Sequence, residues 1–290
     1  MESRRSIAII GISALSVVLL LSGCSSKSPT LSPPPTPTIS MTPTSIATSS
    51  QSPTVQMRTL AQYWVADTAR GFRLYREFVR ITPTPDPVTA SLRQLVSQKP
   101  VDSDYVSLWP VDTRINSVVV LDKVATIDLT FSKLNVGAEA ESMAIAQLVW
   151  TATAADTSVK KVFLTVDGKK VESLAGHVDA TKPFTRGRTY DVLAPVWITS
   201  PTEGQVLKAE GFTLSGISST FEANVAWKVY KDGKLFKEGS TTAAEAAPAW
   251  KRWSVAVTGL APGRYLFIAL EYSAKDGSLV AQDTKNTTLN

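Results

Sequence analysis

Ser25 to Gln56 is a run of Ser, Thr and Pro, including Ser32-Pro33-Pro34-Pro35-Thr36-Pro37, with one charged residue and no aromatic one. Such a segment has too little apolar surface to offset the entropy of ordering it. Proline-rich chain stays extended at about 3.1 Å per residue, so the stretch reaches up to about 100 Å when fully extended and about a third of that when flexible. It separates a short leader from about 235 residues in which apolar periodicity starts at Val55, enough for two domains of ordinary size.

The leader has the three parts of a signal peptide: Arg4 and Arg5, the apolar run Ile7 to Leu21, then small residues before a cysteine. The run is shorter than the about 20 apolar residues that span a bilayer, and Gly23 and Cys24 close it. Leu21-Ser22-Gly23-Cys24 resembles the lipobox of bacterial lipoproteins. That resemblance implies cleavage before Cys24 and acylation of its thiol, usually with acylation of the new amino terminus. Residues 1–23 are then a signal peptide, and residues 24–56 a lipidated tether on the extracytoplasmic face of the cell membrane. Two or three acyl chains hold a protein stably where one holds it weakly. Cys24 is the only cysteine, so no internal disulfide can form and stability must come from packed cores. The formal charge of +5 falls by one when Glu2, Arg4 and Arg5 are removed, and the remaining basic residues are spread along the chain. Nucleic acid is therefore not an expected partner.

Downstream, Leu60 to Val65 and Phe72 to Val79 read as strands. Asp86-Pro87 starts a helix, with Asp as N-cap and Pro at the first helical position, and the helix runs to about Gln98 before Lys99-Pro100. Its expected buried face is Val88, Leu92, Leu95 and Val96. Arg114 to Leu121 and Val124 to Phe131 flank a tight Asp122-Lys123 turn and predict a hairpin. A second helix, roughly Glu139 to Ala154, is apolar almost all round, which predicts a central position. Val159 to Val166 is a further strand, followed by the turn Asp167-Gly168-Lys169. This order predicts an α+β domain over residues 57–190, a two-layer α/β sandwich with both helices on one face of a sheet. From residue 191 to 290 only strand patterns occur, seven of them: Pro195–Thr199, Phe212–Gly216, Asn224–Lys231, Lys234–Gly239, Trp250–Val257, Arg264–Tyr272 and Leu279–Leu289. They predict an all-β immunoglobulin-like sandwich whose core is filled by Trp227, with Val225 and Val229, in place of a disulfide.

Tyr63-Trp64-Val65, the helix Leu92 to Val96, Leu108-Trp109-Pro110, Val124 to Leu129, Ala144 to Thr151 and Val166-Asp167-Gly168-Lys169, in this order, resemble the GerMN domain of sporulation and spore germination proteins. Ile198-Thr199-Ser200-Pro201, Leu214-Ser215-Gly216, Phe221-Glu222-Ala223-Asn224-Val225 and Tyr272 to Ser278 resemble the Gmad-type immunoglobulin-like domain of bacterial spore germination. One departure is Asp122-Lys123, where the family usually has Asp-Gly, which leaves the turn type open. GerMN-like folds also resemble ring-building motifs of secretion and sporulation complexes, which by analogy implies a role in protein assembly.

The residues supply no catalytic set. His177 is the only histidine and has no Gly-x-Ser-x-Gly elbow to serve. One histidine and no free thiol do not make a zinc site, and neither Asp167-Gly168 nor Asp276-Gly277 offers the oxygen ligands of a calcium site. No metal, cofactor or enzymatic activity is expected. Candidate binding residues are Trp250 and Trp253, which with Lys251 and Arg252 between them cannot all face one way on a strand, and Phe221, Glu222 and Asn224 of the distinctive string. The leading expectation is a non-catalytic envelope lipoprotein that binds another envelope protein. A cell-wall glycan binder acting through Trp250 and Trp253 is the second reading, and a wall hydrolase using two carboxylates the third.

Overall fold

Tyr63, Trp64, Val65 and Ala66 are buried in succession, which marks a strand covered on both faces. They lie in β1 (Arg58–Thr68), which pairs in full antiparallel register with β2 (Gly71–Ile81), from Arg58 opposite Ile81 to Thr68 opposite Gly71. The computed structural model describes residues 57–290; the expected signal peptide, Cys24 and the expected tether to residue 56 lie outside the described residues. No described helix is long and apolar enough to cross a membrane.

Helix α1 (Pro87–Ser97) starts as its sequence dictates: Asp86 Oδ1 accepts the Thr89 N–H at 3.0 Å and Pro87 opens the first turn. Val88, Leu92 and Leu95 are buried, and Val96 is half-buried. The hairpin of β3 (Arg114–Leu121) and β4 (Val124–Thr130) turns through Asp122 (φ 48°) and Lys123 (φ 67°). Two successive left-handed residues define a type I′ turn, the form that matches strand twist. A parallel partner for β4 requires a crossover. Helix α2 (Ala138–Ala155) supplies it and leads to β5 (Lys161–Val166), and β6 (Lys169–Lys170) closes a sheet ordered β3-β4-β5-β6.

The α+β class is as expected, but the pairing differs from a single sheet. The first two strands form a sheet of their own. A lone hairpin is marginal in water, and this one is stabilised by packing on α2: the Tyr63 N–H donates to Thr151 Oγ1 at 3.2 Å, and the Tyr63 and Trp150 rings lie 5.4 Å apart. With β5 also against it, α2 is covered nearly all round, which is why its sequence has no polar stripe.

A single helical turn, α3 (Thr189–Val192), leads into eight strands: β7 (Val196–Ser200), β8 (Gln205–Leu207), β9 (Thr213–Ser218), β10 (Asn224–Lys231), β11 (Lys234–Thr242), β12 (Lys251–Ala256), β13 (Gly263–Tyr272) and β14 (Leu279–Leu289). They form two sheets, β11-β10-β13-β14-β8 and β12-β9-β7. The strand absent from the sequence reading is β8, three residues long and parallel to β14. Val225, Trp227 and Val229 fill the core as expected, with Leu214, Trp253 and Phe267. Gly216 is required there: a Cβ would lie 2.1 Å from the Trp197 carbonyl and 2.4 Å from the Trp253 ring.

Candidate functional site

The first and second parts of the chain meet in a seam of buried charge. On β14, Ala281, Asp283, Lys285, Thr287 and Leu289 share the buried phase of the strand, so a carboxylate and an ammonium are carried into an interior. Lys285 Nζ donates to Asp102 Oδ2 (2.5 Å), Asp283 Oδ1 (2.6 Å), the Tyr105 hydroxyl oxygen (2.8 Å) and the Thr284 carbonyl (2.9 Å). Asp283 in turn accepts the Tyr105 hydroxyl at 2.6 Å and the Ile198 N–H at 2.6 Å. Tyr75 stacks on Tyr105 at 4.9 Å and donates to the Gln282 carbonyl. Burial opposes the ammonium of Lys285, but attraction to Asp283 and Asp102 outweighs it and raises its pKa. Burial raises Asp283 against the pull of Lys285. Asp102, Asp104 and Asp283 place ligand-type oxygens within 4.8 Å of one another. The chain's own Lys285 ammonium already bonds two of these three, so a metal ion would have to displace it.

A second buried carboxylate organises the loop around His177. Glu141, in the first turn of α2, is fully buried and accepts five hydrogen bonds: Ser173 Oγ, Leu174 N–H and Ala175 N–H on Oε1, His177 N–H and Val178 N–H on Oε2, at 2.8–3.2 Å. Burial alone would raise its pKa, but these donors hold the carboxylate below the usual range. His177 is thus held by its backbone, with its side chain exposed.

Among the sequence candidates, Trp253 is a core residue, 2% exposed. Trp250 is half-buried and stacks on Trp197 at 5.0 Å against the first core. Neither offers the flat exposed ring a glycan face needs. The pattern from residue 250 to 253 could not reveal this, because Trp250 lies just before β12 and is covered by Trp197 of β7, distant in sequence. Phe221 behaves differently. It opens a 3-10 turn, Phe221–Ala223, in which Glu222 (φ 53°) and Ala223 (φ 58°) are left-handed, and it is 58% exposed. Glu222 and Asn224 are exposed beside it, Asn224 as the first residue of β10.

Phe221 forms one wall of a pocket of about 190 Å³ with Tyr190, Tyr272, Ala247, Arg70 and Glu271. Tyr190 and Tyr272 are also substantially exposed. Glu271 is 5% exposed; its Oε1 accepts one long bond, 3.4 Å, from the Phe221 N–H, and its Oε2 has no partner. Burial raises its pKa, and the charge of Arg70 acts the other way. Arg70 Nη1 donates to the Tyr190 hydroxyl at 2.8 Å. The sequence reading missed Glu271, although a signal was there: it continues the inward series Tyr265, Phe267, Ala269 on β13.

The far half of β3 is a second exposed feature. β3 is an edge strand, and although Arg93 covers the Ile115 and Asn116 carbonyls, Val119, Val120 and Leu121 are 59%, 43% and 70% exposed.

Residues 61–172 match the family model described as sporulation and spore germination, and residues 195–278 that of the immunoglobulin-like domain of bacterial spore germination. The chain carries these two germination domains in that order. No curated protein sequence matches the chain. A Clostridium perfringens protein assigned as a lipoprotein shares 22% identity over 45% of this chain and 88% of its own, with a TM-score of 0.33. The tandem GerMN domains of the sporulation protein GerM from Bacillus subtilis share 22% over 47% of this chain and 50% of theirs, with a TM-score of 0.38. The first of those GerMN domains shares 21% over 45% of this chain and 98% of its own, at 0.37. In these terms the Lys285 seam and the Glu271 pocket both lie where the GerMN domain meets the immunoglobulin-like domain.

Proposed function

We propose that this germination-type protein is a non-catalytic lipoprotein of the cell envelope, tethered through Cys24, that docks an extended segment of another envelope protein along β3. The observation that carries the reading is the open apolar edge at Val119, Val120 and Leu121. Proteins ordinarily block such an edge with charge, proline or a covering element, because its free N–H and C=O groups recruit another strand. An edge left apolar and uncovered suits strand addition, in which main-chain bonds give affinity and alternate side chains give specificity.

A photo-crosslinking residue at Val119 in whole cells tests the docking. The expected result is one envelope protein captured through an extended segment of its sequence, lost when Leu121→Lys and Val120→Lys charge the edge, and absent with the crosslinker at exposed Val206. Equal capture from both positions would overturn it. For the anchor, Cys24→Ala is expected to leave the membrane fraction with its domains folded, and retention equal to the wild type would refute anchoring.

A further inference from the structure

We propose that the pocket between Tyr190, Phe221 and Tyr272 binds a free α-amino acid as its zwitterion, the ammonium on Glu271 and the carboxylate on Arg70. The inference is independent of the docking edge on β3. It starts from an unpaid requirement: a carboxylate 5% exposed, with one long bond on one oxygen and none on the other, is a state proteins seldom leave in place. Structural carboxylates at the same seam are not left this way, as Asp283 and its three partners, Tyr105, Ile198 and Lys285, show.

The second charge narrows the ligand. Arg70 lines the same pocket and shifts the Glu271 equilibrium through space, yet no ion pair joins them among the described residues. Of the five N–H donors of a guanidinium, one is engaged, on Tyr190. A simple cation would meet Glu271 favourably and Arg70 unfavourably, and a simple anion the reverse. A molecule carrying both charges a few ångströms apart satisfies each, and a guanidinium is suited to a two-point hold on a carboxylate.

The walls and size supply the remainder. Phe221, Tyr190 and Tyr272 present aromatic surface that would bury an apolar side chain, with Tyr190 fixed by its bond to Arg70. The pocket, at about 190 Å³, is below the roughly 300–1,000 Å³ of drug-type sites, which fits a single amino acid rather than a peptide.

Calorimetric titration of the full-length protein in detergent with L-leucine and L-phenylalanine tests the proposal, with N-acetyl-leucine and leucine amide as ligands lacking one charge each. The expected result is saturable millimolar or tighter binding of a free amino acid, weakened at least about tenfold by either cap, since each cap leaves one charged group of the site without its hydrogen-bond partner. Glu271→Gln should abolish the preference for leucine over N-acetyl-leucine, and Arg70→Gln, at an exposed position, the preference over leucine amide. Failure of both amino acids to bind overturns the proposal. So does equal binding of leucine and leucine amide, which would make the site a plain ammonium site, or an Arg70→Gln variant that keeps full discrimination.

Discussion

Glu141 and Glu271 are the same side chain in the same degree of burial, and the chain treats them in opposite ways. Glu141 accepts five hydrogen bonds from residues 173–178 and its pKa is lowered despite burial. Glu271 has one long bond, and burial raises its pKa. The difference separates two uses of a buried charge. Five donors on one carboxylate organise a loop that has no regular structure of its own, so the first glutamate is a structural anchor. The second organises nothing and keeps its capacity for something from outside. The Lys285 cluster belongs with the first kind, every charge in it being bonded.

The comparison can be broken most forcefully at Lys285. Lys285→Met leaves Asp102 and Asp283 buried without their cation, and the expected loss is about 3–5 kcal/mol in denaturant unfolding. Glu141→Gln is next. An amide NH2 would face donors that now meet an oxygen, and a loss of about 2–3 kcal/mol is expected. Its pH dependence has a definite sign. The folded pKa lies below the unfolded one, so the contribution is present above the unfolded value and disappears as pH falls through the folded value. Unfolding followed across that acid window should show the wild type approaching the variant. A constant difference at all pH values would mean the five bonds do not depend on the charge.

Much of this is legible in the amino-acid sequence, because local rules decide it. Asp86-Pro87 capped a helix, Asp122-Lys123 turned a hairpin, and the all-round apolar pattern of α2 placed it centrally. Where local pattern is silent, distant chain decides. The first two strands read as members of one sheet, since a hairpin that satisfies itself and packs on a helix has the same alternation. Trp250 read as a surface candidate because the residue that covers it, Trp197, lies 53 positions earlier. The pocket was half legible. Phe221 stood out as part of a distinctive string, but Arg70 and Tyr190 reach it from a turn and a linker that carry no pattern. Glu271, Asp283 and Lys285 were marked in principle as polar residues in the buried phase of apolar strands.

Glu271→Gln sharpens the comparison at smaller scale and with the opposite sign from Glu141→Gln. Here the folded pKa lies above the unfolded one, so the native state holds its proton more tightly and stability falls as pH rises from the unfolded value through the folded one. Above the folded value that penalty is complete, and replacing the charge there by an amide should gain about 0.5–2 kcal/mol, the usual return when a site kept for function is relieved. Below the unfolded pKa the gain should vanish. A loss above the folded value would mean Glu271 is a structural carboxylate after all, and the contrast with Glu141 would fall.

The smallest effect lies on the rim. Glu222 at φ 53° and Ala223 at φ 58° place two L-residues in succession in the left-handed region, and together they turn the chain so that Phe221 projects beside Glu271. For an ordinary residue that conformation costs about 1–2 kcal/mol, whereas Asn tolerates it. Glu222 is exposed, so Glu222→Asn removes no packing. The expected gain is about 0.5–1 kcal/mol in thermal unfolding, with Phe221 unmoved. No comparable strain accompanies Glu141, whose loop residues 173–178 show a positive φ only at Gly176. If Glu222→Asn gains nothing, the turn around Phe221 is no more costly than the loop around Glu141, and the two glutamates differ in their partners alone.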